Sequence, residues 1–266
     1  MRQKPLLLML FLSITIMCTA QNKVPNPNYT APEGRPLKGW RICIDPGHGG
    51  QIWGSTRGYT GGTRSCVSNQ SESDANLRVG LFLWDLLTQA GAEVVMTRTF
   101  ETRLSEDCQA NPQSEEYKAN RREELNIRCR VAESTNSDFL VSIHHNAAGS
   151  DANYSIVYYY DPDQNGNTDV KHSPESVSMS KDLALKITEG FGEWLKLRTV
   201  SPRHGNYHVL RETSLPAVIV ECAFMTNKDQ AEWMENLEYS RLAAIGIFEG
   251  ILDACKEKKS ENKEAE

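Results

Sequence analysis

Short β-branched runs and helical apolar stripes alternate from Arg41 to Ala254, and this alternation limits the fold more than any other feature of the chain. Arg41-Ile-Cys-Ile44 reads as a strand that ends on the turn signal Asp45-Pro46-Gly47. Asn76 to Leu87 carries Leu77, Leu81, Trp84 and Leu87 at helical spacing, with Gly91 as a stop. Glu93–Thr97 reads as a second strand, Leu125–Ser134 as a helix, Phe139–Ile143 as a third strand and Ile156–Tyr160 as a fourth. Ser176–Leu195 places Met179, Leu183, Ile187, Phe191 and Trp194 on one stripe; the strand Ala217–Val220 and the helix Tyr239–Ala254 follow. The pattern predicts an α/β fold: one domain with a largely parallel, twisted sheet flanked by helices on both faces.

The first residues carry another signal. Arg2 and Lys4 precede the apolar run Leu6–Met17, and Cys18-Thr19-Ala20 supplies small residues for cleavage, which predicts a signal peptide over residues 1–20. Pro5 to Met17 is too short to read as a membrane-spanning helix, so no stable membrane insertion is expected after cleavage. A lipid anchor on Cys18 is disfavoured by the bulky Met17 before it. Residues 21–38, with Pro25, Pro27, Pro32 and Pro36, read as an extended tether; 39–255 as the folded domain; and 256–266, rich in Lys and Glu, as a solvated, disordered tail. A formal charge of −6 gives no reason to expect a nucleic-acid partner.

Export affects how the cysteines read. Without Cys18, an even set remains, and in an oxidising compartment these six allow fifteen pairings. Cys43 and Cys222 lie in apolar strands and read as small buried residues. Cys66 and Cys108, in polar stretches, are the better disulfide candidates.

The chemistry concentrates at strand ends. His48 follows the first strand, His144 ends the third, and Glu221 ends Pro216-Ala-Val-Ile-Val220. Parallel strands deliver side chains into the crevice at their carboxyl ends, so three polar groups at three strand ends suggest one shared site. Two imidazoles and a carboxylate form a ligand set for catalytic zinc, and a second carboxylate then serves as general base. Both Glu221 and Glu72, just before the first helix, qualify for either role, and residue types alone do not separate them.

Seven segments occur in a fixed order: Asp45-Pro-Gly-His-Gly-Gly50; Glu72 with Asn76-Leu77; Thr97-Arg98; Leu125-xx-Arg128-xxx-Ala132; Ser142-Ile-His-His-Asn-Ala147; Val209-Leu-Arg211; and Pro216-Ala-Val-Ile-Val-Glu221-xx-Phe-Met-Thr-Asn227. In these the chain resembles the zinc-dependent N-acetylmuramoyl-L-alanine amidases of the cell-separation type, over about Arg41 to Leu252. The resemblance implies one Zn2+ held by His48, Glu72 and His144, with Glu221 as the catalytic carboxylate. It also implies peptidoglycan as substrate, cut at the amide between muramic acid and L-alanine by a monomer exported to the periplasm or cell surface. The alternatives are a zinc peptidase acting on the stem peptide and an inactive peptidoglycan-binding module.

Several stretches depart from the family pattern. The segment 51–70 reads either as a flexible groove wall or as a long surface loop, and the insertion 105–124 as a solvated face. His145 points either into the groove or away from it, since strand neighbours alternate faces. His204 and His208 read as structural or rim residues. The connection Ala147–Ser155 is too short to build an inhibitory helix, which predicts an open zinc site that needs no activator.

Overall fold

The computed structural model describes residues 29–50, 62–105, 114–166 and 171–265. Residues 1–20, residues 51–61 of the long loop, and Cys108 lie outside this set. The sheet is built from β1 (Arg41–Pro46), β2 (Glu93–Met96), β3 (Phe139–Asn146), β4 (Tyr154–Tyr159), β5 (Arg198–Thr199), β6 (Arg203–His204) and β7 (Ala217–Phe224). Their spatial order is β2-β1-β3-β7-β4-β5, with β6 also on β4. The strands β2, β1, β3 and β7 are parallel, and β4 runs antiparallel to β7, so the sheet is mixed but mostly parallel.

The helices are α1 (Glu72–Gln89), α2 (Glu115–Ser134), α3 (Pro174–Trp194), α4 (His208–Glu212), α5 (Lys228–Met234) and α6 (Leu237–Ala265). Strand alternation sorts the core into two halves. Ile42, Ile44, Val141, Ile143, Val218 and Val220 share one cluster with α1, α3 and α6. Cys43, Leu140 and Ile219 share another with Cys129 and Ala132 of α2 and Val209 and Leu210 of α4. Burial on both faces explains why these strands read as continuous apolar runs instead of alternating ones. The five stripe residues of α3 are all buried.

Three expectations are corrected. First, α2 begins at Glu115 and not at Leu125, so the second half of the insertion 105–124 belongs to that helix. Ser114 caps it by accepting from the Tyr117 amide, Tyr117 and Glu124 are buried, and the charged outer face hides the helical period. Second, residues 29–38 are not a free tether. Leu37 is fully buried and donates its amide to the Ala90 carbonyl, and the Tyr29 ring packs 5.0 Å from Trp194 with its hydroxyl on Glu249. Third, the charged tail continues α6 as helix to Ala265, and Lys259 Nζ donates to the carbonyls of Pro36 and Lys38.

Close packing of α3 on α6 relies on glycine. A Cβ on Gly250 would lie 2.5 Å from the backbone N and Cα of Ile187. Gly250→Ala gains about 1 kcal/mol of helix propensity. Overpacking costs about 1–3 kcal/mol, and here the obstacle is backbone, which yields least. A net loss of about 1–2 kcal/mol is expected in denaturant unfolding; equal or greater stability would show that the two helices part easily.

Candidate active site

The site lies at the carboxyl edge of the central strands β1, β3 and β7. Register aligns His144 with Glu221, so their side chains leave the same face of the sheet. Immediately beyond, the register shifts between His144 and Asn146 because β7 carries an extra residue, a bulge of the kind that re-aims side chains beside active sites. His48 follows β1 in a turn where its own φ is +60° and those of Gly49 and Gly50 are +139° and +78°. A left-handed histidine is uncommon and persists only where surrounding contacts hold it.

Those contacts come from side chains aimed at backbone carbonyls. Arg98 donates to the carbonyls of Pro46 (2.9 Å), Gly47 (3.0 Å) and Ser73 (2.6 Å). Asn76 Nδ2 donates to the Gly47 carbonyl at 3.0 Å. Asp45, fully buried at the end of β1, accepts from Thr97 Oγ1 (2.6 Å), Ser142 Oγ (2.7 Å) and the Arg128 guanidinium. Burial works against the Asp45 charge, but Arg128 and the two hydroxyls outweigh it and hold its pKa below the usual range.

Glu72 opens α1. Ser71 caps the helix by accepting from the Asp74 amide, and Glu72 and Asp74 suit the positive end of the dipole. The Glu72 carboxylate turns back into the site. Its Oε1 lies 3.1 Å from His48 Nε2 and 2.9 Å from His144 Nδ1, and it accepts from the His145 amide at 3.3 Å. Its Oε2 accepts from the Thr63 amide at 2.9 Å. Burial disfavours the charge, yet the two imidazoles hold Glu72 ionised, well below the ordinary carboxylate range. Burial also lowers the His48 pKa; for His144 the bond to Glu72 outweighs burial and raises it.

His48, Glu72 and His144 form the one metal-competent group of three among the described residues, their ligand atoms within 4.8 Å of one another. The two Glu72 separations compare with the edge of about 3.3 Å of a tetrahedron whose bonds are about 2.0 Å. Two imidazoles and a carboxylate suit a divalent ion of borderline hardness, so the donor set fits a catalytic metal. Glu221 stands beside them; burial pushes its carboxyl up to about 7, and its Oε2 is buried with no hydrogen-bond partner among the described residues.

The other histidines face elsewhere. His145 points away from His144, buried, with Nδ1 2.8 Å from Asn76 Oδ1 and Nε2 3.0 Å from the Tyr239 hydroxyl. Burial drops its pKa to about 4, so the ring is neutral and orients Asn76 toward the Gly47 carbonyl. His204 Nδ1 accepts from the Asp161 amide, and His208 bonds Asn126 Oδ1. Cys66 is exposed, whereas Cys43 and Cys222 are buried. Sequence reading assigned no role to Arg98, Arg128, Asp45 or Asn76, although the first three stand at ends of strands or in a helix next to them. Their available signal was membership of the ordered segments that carry the family resemblance, which named the residues without a role.

Fold and site together define an α/β protein with a metal-competent centre at the carboxyl edge of its sheet. The chain belongs to the N-acetylmuramoyl-L-alanine amidase family Amidase_3, whose model matches residues 42–253. An uncharacterized cell wall amidase of Bacillus anthracis is 29% identical over 218 residues, 82% of this chain and 36% of its own length. The germination-specific N-acetylmuramoyl-L-alanine amidase of Bacillus subtilis is 25% identical over 85% of this chain and 84% of its own. The chain spans between 36% and 58% of the length of the first three curated relatives it matches. Among solved structures, an N-acetylmuramoyl-L-alanine amidase from Clostridium difficile 630 shares 30% identity at a TM-score of 0.64, covering 82% of this chain and 98% of its own. The catalytic domain of the amidase CwlV from Bacillus (Paenibacillus) polymyxa shares 27% at 0.62, covering 80% and 97%.

Gly47 is required by the His144 ring. A Cβ at this position would lie 2.2 Å from His144 Nε2. Gly47→Ala is therefore expected to fold, to keep most of its thermal stability, and to bind divalent metal at least tenfold more weakly by chelator competition. Unchanged metal affinity would show that the ring has room to retreat.

Proposed function

We propose that this chain is an exported N-acetylmuramoyl-L-alanine amidase that hydrolyses the amide between muramic acid and L-alanine in peptidoglycan. Zinc is the metal, His48, Glu72 and His144 are its ligands, and Glu221 is the general base. The observation that carries the reading is the convergence of His48, Glu72 and His144 beside the buried carboxylate of Glu221, in a chain of an amidase family. The names of the relatives, cell wall amidases and N-acetylmuramoyl-L-alanine amidases, support the substrate. The expected signal peptide at residues 1–20 supports export, and among the described residues no helix is long and apolar enough to cross a membrane.

When bound, zinc supplies Lewis acidity to the scissile carbonyl and to the attacking water. Glu72 contributes the negative charge that a dication requires, and its bonds to the Thr63 and His145 amides keep the carboxylate aimed. Among the described residues Glu221 has no competing hydrogen bond on Oε2, which leaves that oxygen ready to take the water proton and return it to the leaving amine of L-alanine. The His48 and His144 side chains keep 29% and 19% of their surface exposed, which supports an accessible site. The connection after β3 folds on itself and on the end of β7, through Ala152 N to the Gly149 carbonyl and Asn227 Nδ2 to the Ser150 carbonyl. Both features support activity without an activator.

Purified protein incubated with peptidoglycan is expected to release L-alanine amino termini and leave glycan strands without stems. Cleavage inside the stem would point to a peptidase instead, and no release at all to a binding module. A chelator should abolish the release and zinc restore it. Activity that persists after elemental analysis shows the metal gone would sink the zinc mechanism.

Two glutamate variants separate the roles. Glu221→Gln is expected to retain zinc and lose about a hundredfold to ten-thousandfold in turnover. Glu72→Gln should weaken zinc binding first. The reverse pattern, zinc lost in the former and kept in the latter, would exchange the two assignments.

A further inference from the structure

Arg128 is the largest fully buried side chain among the described residues, and the proposed hydrolysis makes no use of its charge. It projects from α2 toward the turn after β1. There Nη1 meets Asp45 Oδ1 and donates to the Pro46 carbonyl at 3.1 Å, and Nη2 donates to the carbonyl of His48 at 2.7 Å. The same Nη2 lies 3.2 Å from Glu124 Oε1, one helical turn earlier on α2. Glu124 is buried as well, and its carboxylate gathers the start of the insertion. It accepts from the amide of Leu104 at 3.1 Å, the amide of Ser105 at 2.8 Å and the Ser105 hydroxyl at 2.8 Å.

From these contacts we infer that Glu124 and Arg128 form a positioning relay that fixes His48 for metal binding and makes that fixation depend on the chain at Leu104 and Ser105. The His48 backbone is left-handed, a conformation that costs free energy unless it is held. Arg128 is the only described side chain that bonds the His48 carbonyl. The planar fork of the guanidinium reaches Asp45, two carbonyls and Glu124 together, and a lysine ammonium on a single stem cannot meet all four. Removing the Glu124 charge leaves Asp45 as the remaining acid on Arg128 and frees the guanidinium to turn from the His48 carbonyl. The relay acts through His48, so Arg128 and Glu124 are positioning residues and not catalytic ones. Outer partners of metal ligands typically contribute about ten- to a hundredfold in metal affinity.

This inference rests on the reading that His48, Glu72 and His144 hold zinc. The test uses the full chain and zinc alone as the probe, with a chromogenic chelator in competition. Arg128→Lys and Glu124→Gln are compared with the unchanged protein, and folding is monitored by near-UV circular dichroism. Both variants are expected to fold and to bind zinc about tenfold or more weakly. Their hydrolysis should recover on saturation with zinc, because the displaced ligand is still present; a merely structural defect would not be rescued. Folded variants with unchanged zinc affinity would overturn the relay while leaving the zinc site standing. Loss of fold in both variants would also overturn it, since the pair would then determine the fold. If the unchanged protein binds no zinc, the zinc reading fails and the relay with it.

Discussion

A buried ion pair holds the centre of this structure. Asp45 and Arg128 are almost wholly removed from solvent, and each would be costly to bury alone. The cost is offset because both carboxylate oxygens and both terminal guanidinium nitrogens of the pair are engaged. Thr97 at the end of β2, Ser142 on β3 and Arg128 on α2 all converge on the Asp45 carboxylate. Four elements are thereby joined at one point, two residues before His144 along β3 and three before His48. Removing one partner of such a pair typically costs about 3–5 kcal/mol, more than most single contacts supply.

The arrangement also explains why a histidine sits in a conformation more natural to glycine. The turn Pro46-Gly47-His48 presents its three carbonyls to side-chain donors, the first two of them in buried contacts. Arg98, Asn76 and Arg128 supply the donors. With its backbone held, His48 can face Glu72, and Gly47 leaves the space that His144 fills. His145, neutral and buried, extends the same scaffold through Asn76 to Tyr239 of α6. Neighbouring histidines on one strand thus serve opposite faces, the first in the metal-competent cluster and the second in the scaffold.

What could be read from the sequence follows from the physics of each segment. The strands β1, β3 and β7 and the helix α3 were legible because apolar runs and the stripe Met179 to Trp194 bury nearly all they show, whereas the two-residue strands β5 and β6 carry no such run. The crowding of His48, His144 and Glu221 at strand ends was legible because parallel register carries those ends to one edge. Three features were not. The first half of α2 has few buried side chains and so no period to detect. The C-terminal extension of α6 is charged all round and held by local pairs such as Lys256 with Asp253 and by Lys259 reaching Pro36. Arginines are usually surface residues, so Arg98 and Arg128 showed no sign that they answer backbone carbonyls. Hydrogen bonds to the main chain leave little trace in composition or spacing.

The metal-competent cluster draws on both helical layers at once. Glu72 is the first residue of α1, whose apolar face lies in the core with α3 and α6. The His48 turn is held from α2, which packs against the opposite face. His144 comes from the strand between them. A shift of either layer against the sheet would therefore change the His48–Glu72 separation of 3.1 Å. Metal bound at this point would resist that shift, since its binding energy depends on all three ligands keeping their distances. The site is then both a product of the two-layer packing and a brace across it, which places catalytic geometry and the rigidity of the carboxyl edge under the same few contacts.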